Sequence, residues 1–159
     1  MTVISGKKDV DDLTLVFVAQ FDATPERVWE LWENPRQLEK WWGPLMYPAT
    51  FVRHDFVVGG ESRYFMTGPA GDTSRGWWRI DAMDKPTRLE FANGLAGDDG
   101  EPAPDIEPMA ASATFESHDG GTRMTVVSRF VDTAQMETLL DMGMEEGMAQ
   151  ALGQIDALL

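Results

Sequence analysis

The sequence predicts an α+β fold in which a curved antiparallel sheet of seven strands surrounds a long C-terminal helix, with two short helices after the first strand. Three observations predict this architecture. Segments of alternating apolar and polar residues recur from about residue 13 to residue 130, and turn residues separate most of them. Residues 132–159 instead carry the three- and four-residue apolar spacing of an amphipathic helix. Because consecutive strands have short connections, we expect them to pair antiparallel.

The first strand and the helices after it have clear boundary signals. Residues 13–21 alternate as a strand does. Thr24 is a favourable N-cap, and Pro25 suits the first position of a helix. Pro35 ends this helix, because the residue before a proline avoids helical backbone angles. A second short helix is predicted over residues 36–42, ending at Gly-Pro.

Six further strands are predicted, and the turn residues between them are mainly Gly, Pro and Asp. They cover residues 50–57, 61–67, 74–83, 87–93, 109–117 and 122–130. The longer connection, residues 94–108, is rich in Gly, Asp and Pro and is expected to be an exposed acidic loop.

The C-terminal helix is predicted to run unbroken from Asp132 to Leu159. Its apolar stripe consists of Met136, Leu140, Met144, Gly147, Ala151, Ile155 and Leu158. Glycine inside a helix costs roughly 1 kcal/mol relative to alanine, and Gly143, Gly147 and Gly153 all lie in this segment. We expect close approach of the helix to the sheet to compensate for that cost.

Length and composition indicate one globular domain over residues 1–159, with residues 1–12 flexible. The chain has 27 acidic and 13 basic residues, a formal net charge of −14, which disfavours nucleic acid and anionic membrane surfaces as partners. It has no cysteine, no apolar stretch long enough for membrane insertion and no signal-peptide pattern. A cytoplasmic location is therefore expected.

Several motifs occur in an order typical of one protein superfamily. They include Phe21-Asp22-Ala23-Thr24-Pro25-Glu26-Arg27-Val28-Trp29, Leu31-Trp32-Glu33-Asn34-Pro35, Trp41-Trp42-Gly43-Pro44, Val58-Gly59-Gly60, Gly68-Pro69-Ala70-Gly71, Pro86-Thr87-Arg88-Leu89-Glu90-Phe91, Gly121-Thr122-Arg123-Met124-Thr125 and Gly143-Met144-Glu145-Glu146-Gly147. The chain resembles the START-like (SRPBCC) superfamily, in the branch related to activators of the heat-shock-protein-ninety ATPase. The resemblance implies a helix-grip fold. It also implies one of the superfamily's roles, which include lipid carriers, hormone receptors, aromatic cyclases and co-chaperone domains.

Alternation nominates residues for an apolar ligand site between the sheet and the C-terminal helix. The predicted ligand-binding residues are Trp42, Met46, Tyr64, Met66, Trp78, Phe91, Phe115, Leu140 and Met144. Ala111, Ala113 and Ser128 are small, which either admits the helix closely or leaves a pocket. Of the adjacent Trp41 and Trp42, one is expected to plug the base of the sheet, and the other to gate the cavity with Met46.

The leading hypothesis is a non-catalytic carrier or sensor for a small apolar or aromatic molecule, with no cofactor and no metal. Catalytic signals are weak, because the chain has only two histidines, His54 and His118, and no nucleophile motif. An aromatic cyclase or dehydratase remains an alternative that requires His54 or Tyr64 to point into the cavity. A co-chaperone-like interaction module is the third, with a chaperone partner and an exposed patch around Trp77. An outward-facing Trp77 would also suit a homodimer contact.

Overall fold

The sheet is antiparallel and continuous. A computed structural model describes residues 3–159, with side chains from residue 5 onward. Within this range the sheet has eight strands in the order β1-β2-β8-β7-β6-β5-β4-β3. The strands are β1 Val3–Asp9, β2 Thr14–Phe21, β3 Ala49–His54, β4 Glu61–Thr67, β5 Thr73–Asp84, β6 Arg88–Leu95, β7 Met109–His118 and β8 Gly121–Arg129.

The prediction of seven strands was one short, because β1 carries little strand signal. Gly6, Lys7 and Lys8 interrupt any apolar alternation in it, yet Lys7 pairs with Val16 of β2. β1 is an edge strand, and lysines on an edge discourage pairing with further chains. The sequence predicts flexibility for residues 1–12. Of these, residues 1 and 2 lie outside the described residues.

Two short helices follow β2 as predicted. Helix α1, Pro25–Glu33, begins after Thr24, whose hydroxyl accepts a hydrogen bond from the Arg27 amide at 3.2 Å. Helix α2, Pro35–Leu38, is shorter than predicted, and residues 39–43 continue as turns. Gly43, with φ of +105°, ends this segment in a conformation that favours glycine.

The predicted long C-terminal helix is in fact two helices, α3 Thr133–Asp141 and α4 Met144–Gly153, followed by a 3-10 turn at Ile155–Leu158. Gly143 lies between the two helices with φ of +89°. Its position outside both helices removes the helix-interior cost that the sequence implied. Nor does Gly147 approach the sheet, since a Cβ there would lie 3.6 Å from Pro44.

The core is an aromatic cluster between α1 and the concave face of the sheet. Trp32 is its centre, and its ring centroid lies 4.8 Å from that of Trp41 and 6.1 Å from those of Phe91 and Phe115. All four rings are buried. Trp41 also donates a hydrogen bond from Nε1 to the Leu31 carbonyl at 2.9 Å. Trp41 therefore belongs to the buried core, as does Trp42 beside it.

The C-terminal helices are fastened mainly at the α4 end. The Gln154 amide nitrogen donates to the Gly43 carbonyl at 2.9 Å, and Arg27 donates to the Leu158 carbonyl at 2.7 Å. Helix α3 contributes one buried residue, Met136, and Gln135 holds its start by donating to the Glu107 carbonyl. Open space therefore remains between α3 and the sheet. Among residues 3–159, no helix is long and apolar enough to cross a membrane.

Candidate ligand-binding cavity

Two adjoining cavities lie between the concave face of the sheet and the C-terminal helices. Their volumes are about 230 Å³ and about 460 Å³. Both open to solvent, and residues lining both are Tyr64, Asn93, Met109, Leu139 and Met142. The pair forms one continuous groove whose polar centre is at Tyr64 and Asn93.

The smaller cavity, which we call the methionine cavity, lies under the junction of α3 and α4. Five of the ten methionines line it, together with the Trp42 ring; they are Met66, Met109, Met142, Met144 and Met148. Methionine side chains are flexible and polarisable, so they adapt to apolar ligands of different shape. The break at Gly143 brings residues on both of its sides to this cavity.

The larger cavity extends from the junction toward the start of α3. Its lining residues include the acidic Asp105, Glu107 and Asp132, alongside apolar Leu95 and Ile106. Of the described residues that line either cavity, none is Lys, Arg or His. The described lining therefore has no positive charge that would attract an anion.

Tyr64 is positioned by close packing on two neighbouring strands. Its ring stacks on Phe51 of β3, with centroids 4.8 Å apart and an interplanar angle of 28°. On β5 the paired residue is Gly76, and a Cβ there would collide with the Tyr64 ring and hydroxyl. The absence of a side chain at Gly76 therefore allows Tyr64 to lie flat across β5 with its hydroxyl at the cavity junction.

The hydroxyl of Tyr64 accepts a hydrogen bond from Asn93 Nδ2 at 3.2 Å. The indole N–H groups of Trp42 and Trp78 also approach this oxygen, although neither makes a well-formed hydrogen bond within the described part of the chain. Burial raises the pKa of Tyr64 above its usual value, and these donors offset that only in part. Tyr64 is therefore a neutral hydrogen-bond donor, not a base, at physiological pH.

Substitution of Gly76 by alanine is expected to displace Tyr64 and to destabilise the fold by about 1–3 kcal/mol, as overpacking of a core does. The clash is with a ring that is itself held by Phe51. Urea denaturation of the variant measures the loss. Gly153→Ala is the matched control, because a Cβ at the end of α4 meets nothing within 4 Å. That variant should gain about 0.5–1 kcal/mol; equal effects of the two substitutions would contradict the packing role of Gly76.

The structure places four of the nine predicted ligand residues on the methionine cavity: Trp42, Tyr64, Met66 and Met144. Trp78, Phe91 and Phe115 belong to the buried aromatic core instead, and line neither cavity. Leu140 packs against that core, outside both linings. Met46 is 58% exposed and does not contact the cavity it was expected to gate.

Sequence reasoning missed several lining residues, of which Asn93 and Met148 are the most informative. Asn93 follows Leu89 and Phe91 at two-residue spacing, so alternation alone would have placed it inward. Met148 lies four residues after Met144, on the same helix face. Leu139 lies three residues after Met136, so helical spacing gives it the same kind of signal.

His54 is not part of the cavity. Its Nε2 lies 2.9 Å from the Trp32 carbonyl, and its Nδ1 lies 2.7 Å from the Ser62 hydroxyl. Because a carbonyl can only accept, Nε2 carries the proton and Nδ1 accepts from Ser62. Burial lowers the pKa of His54, only partly offset by the bond to Trp32. The geometry assigns His54 to the packing between α1 and the sheet.

The lowered pKa predicts a pH dependence of stability. The pKa of His54 in the unfolded chain is about 6.5, and in the folded protein it is lower. Just below pH 6.5, His54 is therefore protonated more in the unfolded chain than in the folded protein. The free energy of unfolding should therefore fall as pH decreases from 6.5 toward the lower folded-state pKa. Denaturation of His54→Gln at several pH values should show a smaller fall in the free energy of unfolding. His118→Gln, which removes the other histidine, should show the same fall as the wild type. A wild-type slope unchanged in His54→Gln would contradict the assignment.

Trp77 does not provide the exposed patch expected for a protein partner or homodimer. It lies on the outer face of β5 but is only 7% exposed, and its indole ring packs over Gly94 of β6. Arg63 of β4, which pairs with Trp77, forms an ion pair with Glu101 at 3.1 Å. Among residues 3–159, no cluster of three His, Asp or Glu side chains could hold a metal ion.

A sheet gripping C-terminal helices with an open apolar groove between them defines a helix-grip domain of the START-like (SRPBCC) superfamily. The sequence profile described as "Activator of Hsp90 ATPase homolog 1-like protein" matches residues 22–159, and the chain belongs to this family.

Solved structures agree. A crystal structure of a protein from Mycobacterium smegmatis is similar at 45% identity and a TM-score of 0.91, covering 99% of this chain and 96% of that one. A solution NMR structure of a protein from Arthrobacter aurescens is similar at 48% identity and a TM-score of 0.94, covering 98% of this chain and 91% of that one. An AHSA1 protein from Silicibacter pomeroyi shares the fold, with 20% identity and a TM-score of 0.72, covering 91% of this chain and 95% of that one. No curated protein matches the chain.

Proposed function

We propose that this protein binds a small apolar or aromatic molecule in the groove between the sheet and helices α3 and α4, as a cytoplasmic carrier or sensor that does not transform its ligand. The methionine cavity is the observation that carries this proposal. Five adaptable side chains and the Trp42 ring surround a space of about 230 Å³ that opens to solvent. Apolar cavities with a few polar groups are the usual form of small-molecule sites.

The way the helices are held supports ligand entry at α3. Helix α4 is tied to the rest of the domain through Gln154, and the 3-10 turn after it through Arg27. Helix α3 has only Met136 buried, and it joins α4 through Gly143. Movement of α3 about Gly143 would widen the groove with little loss of buried apolar contact.

Two alternatives have one observation each in their favour. Tyr64 lines the cavity, as the cyclase or dehydratase alternative requires, but its raised pKa suits hydrogen bonding better than proton abstraction. The co-chaperone alternative is favoured by the family description and by exposed apolar residues in and beside the edge strand β3. These are Val52, Val57 and Val58, each at least 60% exposed. That surface could contact a protein partner.

Native mass spectrometry of the purified protein, followed by a thermal-shift screen against fatty acids, sterols and flavonoids, tests the proposal. A ligand at 100 times its dissociation constant should stabilise the fold by about 2.7 kcal/mol, and the shift should grow with concentration. A bound molecule recovered unchanged supports a carrier, and a transformed one supports the enzyme alternative. If nothing co-purifies and nothing shifts the melting temperature, the cavity proposal fails and protein partners become the priority.

A further inference from the structure

The cavity junction carries an unused pair of hydrogen-bonding groups. We infer that the ligand is a neutral alcohol or phenol, whose hydroxyl group accepts a hydrogen bond from Tyr64 and donates one to Asn93 Oδ1. This inference rests on the proposed binding of an apolar molecule, and it adds the chemical class of that molecule.

The orientation of Asn93 is fixed by its backbone partner. Its Nδ2 donates to the Trp77 carbonyl at 3.2 Å, and a carbonyl oxygen can only accept. The same Nδ2 donates to the Tyr64 hydroxyl oxygen at 3.2 Å. Both amide hydrogens are thereby used, and Oδ1 is left as an acceptor with no partner among the described residues.

The Tyr64 hydroxyl is in the complementary situation. Its oxygen accepts from Asn93 Nδ2. The buried indole nitrogens of Trp42 and Trp78, which make no well-formed hydrogen bond in the described chain, also approach it. These donors leave the oxygen as an acceptor toward the protein and turn its proton away from them. Within residues 3–159 that proton reaches no acceptor, although Tyr64 is only 8% exposed. A buried donor without a partner is costly, so a ligand that accepts from it gains affinity.

A single hydroxyl group satisfies both requirements. It accepts through its oxygen and donates through its hydrogen, and Tyr64 and Asn93 line both cavities side by side. The apolar body of the ligand would then extend into the methionine cavity.

A carboxylate fits the same place poorly. It has no proton for Asn93 Oδ1, and the described lining offers no cation to balance its charge. The nearby acidic groups, Asp105, Glu107 and Asp132, would repel it, as would the net charge of −14. Among ligands of similar size, the structure therefore favours an alcohol or phenol over a fatty or aromatic acid.

Three probes with one ring system test the inference: 2-naphthol, naphthalene and 2-naphthoate, titrated by NMR into the full chain. Wild-type protein should bind 2-naphthol roughly 5–10-fold more tightly than naphthalene, because the naphthol hydroxyl makes two hydrogen bonds that naphthalene lacks, and should bind 2-naphthoate most weakly. Tyr64→Phe, which keeps the ring and its stacking on Phe51, should reduce the naphthol preference to about 3-fold or less, because only the bond to Asn93 Oδ1 remains.

Tyr47→Phe is the matched control, because it removes the only other tyrosine hydroxyl, which is bonded to Asp72 away from the cavity. This variant should bind all three probes as the wild type does. Thermal denaturation of both variants checks that each remains folded.

Each contrary outcome has a distinct meaning. Three results would overturn the hydroxyl assignment while leaving the cavity proposal intact. They are equal affinities for naphthol and naphthalene, an affinity for naphthoate as high as that for naphthol, and an unchanged naphthol affinity in Tyr64→Phe. If none of the three probes binds, the proposed function itself is contradicted, and the inference falls with it.

Discussion

Replacement of Met144 by tryptophan is expected to abolish binding of apolar probes. Met144 is the first residue of α4, and it lines the methionine cavity together with Trp42 and Met66. A Trp side chain there would occupy much of the roughly 230 Å³ that a ligand needs. Ligand-induced stabilisation of about 2.7 kcal/mol at 100 times the dissociation constant should disappear, while the free protein keeps its stability to within about 1 kcal/mol. Thermal-shift titration of both proteins measures the difference.

The same change at an exposed methionine is the control. Met46 is 58% exposed and lies outside both cavity linings, so Met46→Trp should bind probes as the wild type does. A Met144→Trp protein that is still stabilised like the wild type would show that ligands bind elsewhere. Loss of binding in Met46→Trp would restore the gating role that the sequence suggested for that residue.

The largest loss of stability is expected from Trp32→Ala. Trp32 is fully buried and packs edge-to-face against Trp41, Trp42 and Phe115. Removal of a buried aromatic ring costs about 3–5 kcal/mol, because the neighbours cannot refill the space. For a chain of this size, that corresponds to a fall of roughly 10 °C in melting temperature. Denaturation followed by tryptophan fluorescence and circular dichroism measures it.

Truncation of an exposed apolar side chain is the control for Trp32→Ala. Val58 is 63% exposed in the turn after β3, so Val58→Ala should change stability by less than about 0.5 kcal/mol. A Trp32→Ala loss below about 1 kcal/mol would mean that the aromatic cluster is not the centre of the core.

The helix starts and most strands were predictable because their signals are local. Thr24, Pro25 and Pro35 bound α1 as the sequence indicated, and the caps are made by side chains within three residues. Glycine and proline turns separated the strands in the same way. Such features depend on the backbone angles that single residues prefer.

The edge strand and the helix break were missed for the opposite reason. β1 is a strand because β2 offers it a partner, and its own sequence shows no alternation. Apolar periodicity places Gly143 inside a helix, but its left-handed conformation divides the segment in two. Both depend on what surrounds the residue, which periodicity cannot report.

The candidate site was predicted in part, because alternation gives the face of a strand but not the position along it. Tyr64, Met66, Trp78 and Phe91 all face inward, as the alternation suggested for the last two. Trp78 and Phe91 pack against Trp32 of α1, whereas Tyr64 and Met66 reach the gap below α3. Which inward residues form core and which form cavity depends on where the helices lie, and the sequence alone does not specify that.

The most direct test of the cavity is NMR of the protein labelled with ¹³C at its methionine methyl groups, titrated with 2-naphthol. We expect the largest shifts at the five cavity methionines: Met66, Met109, Met142, Met144 and Met148. Met46, Met83, Met124 and Met136 line neither cavity and should shift little. Shifts confined to the first group would locate the ligand in the methionine cavity, whereas saturable binding that moves only the second group, or none, would contradict it.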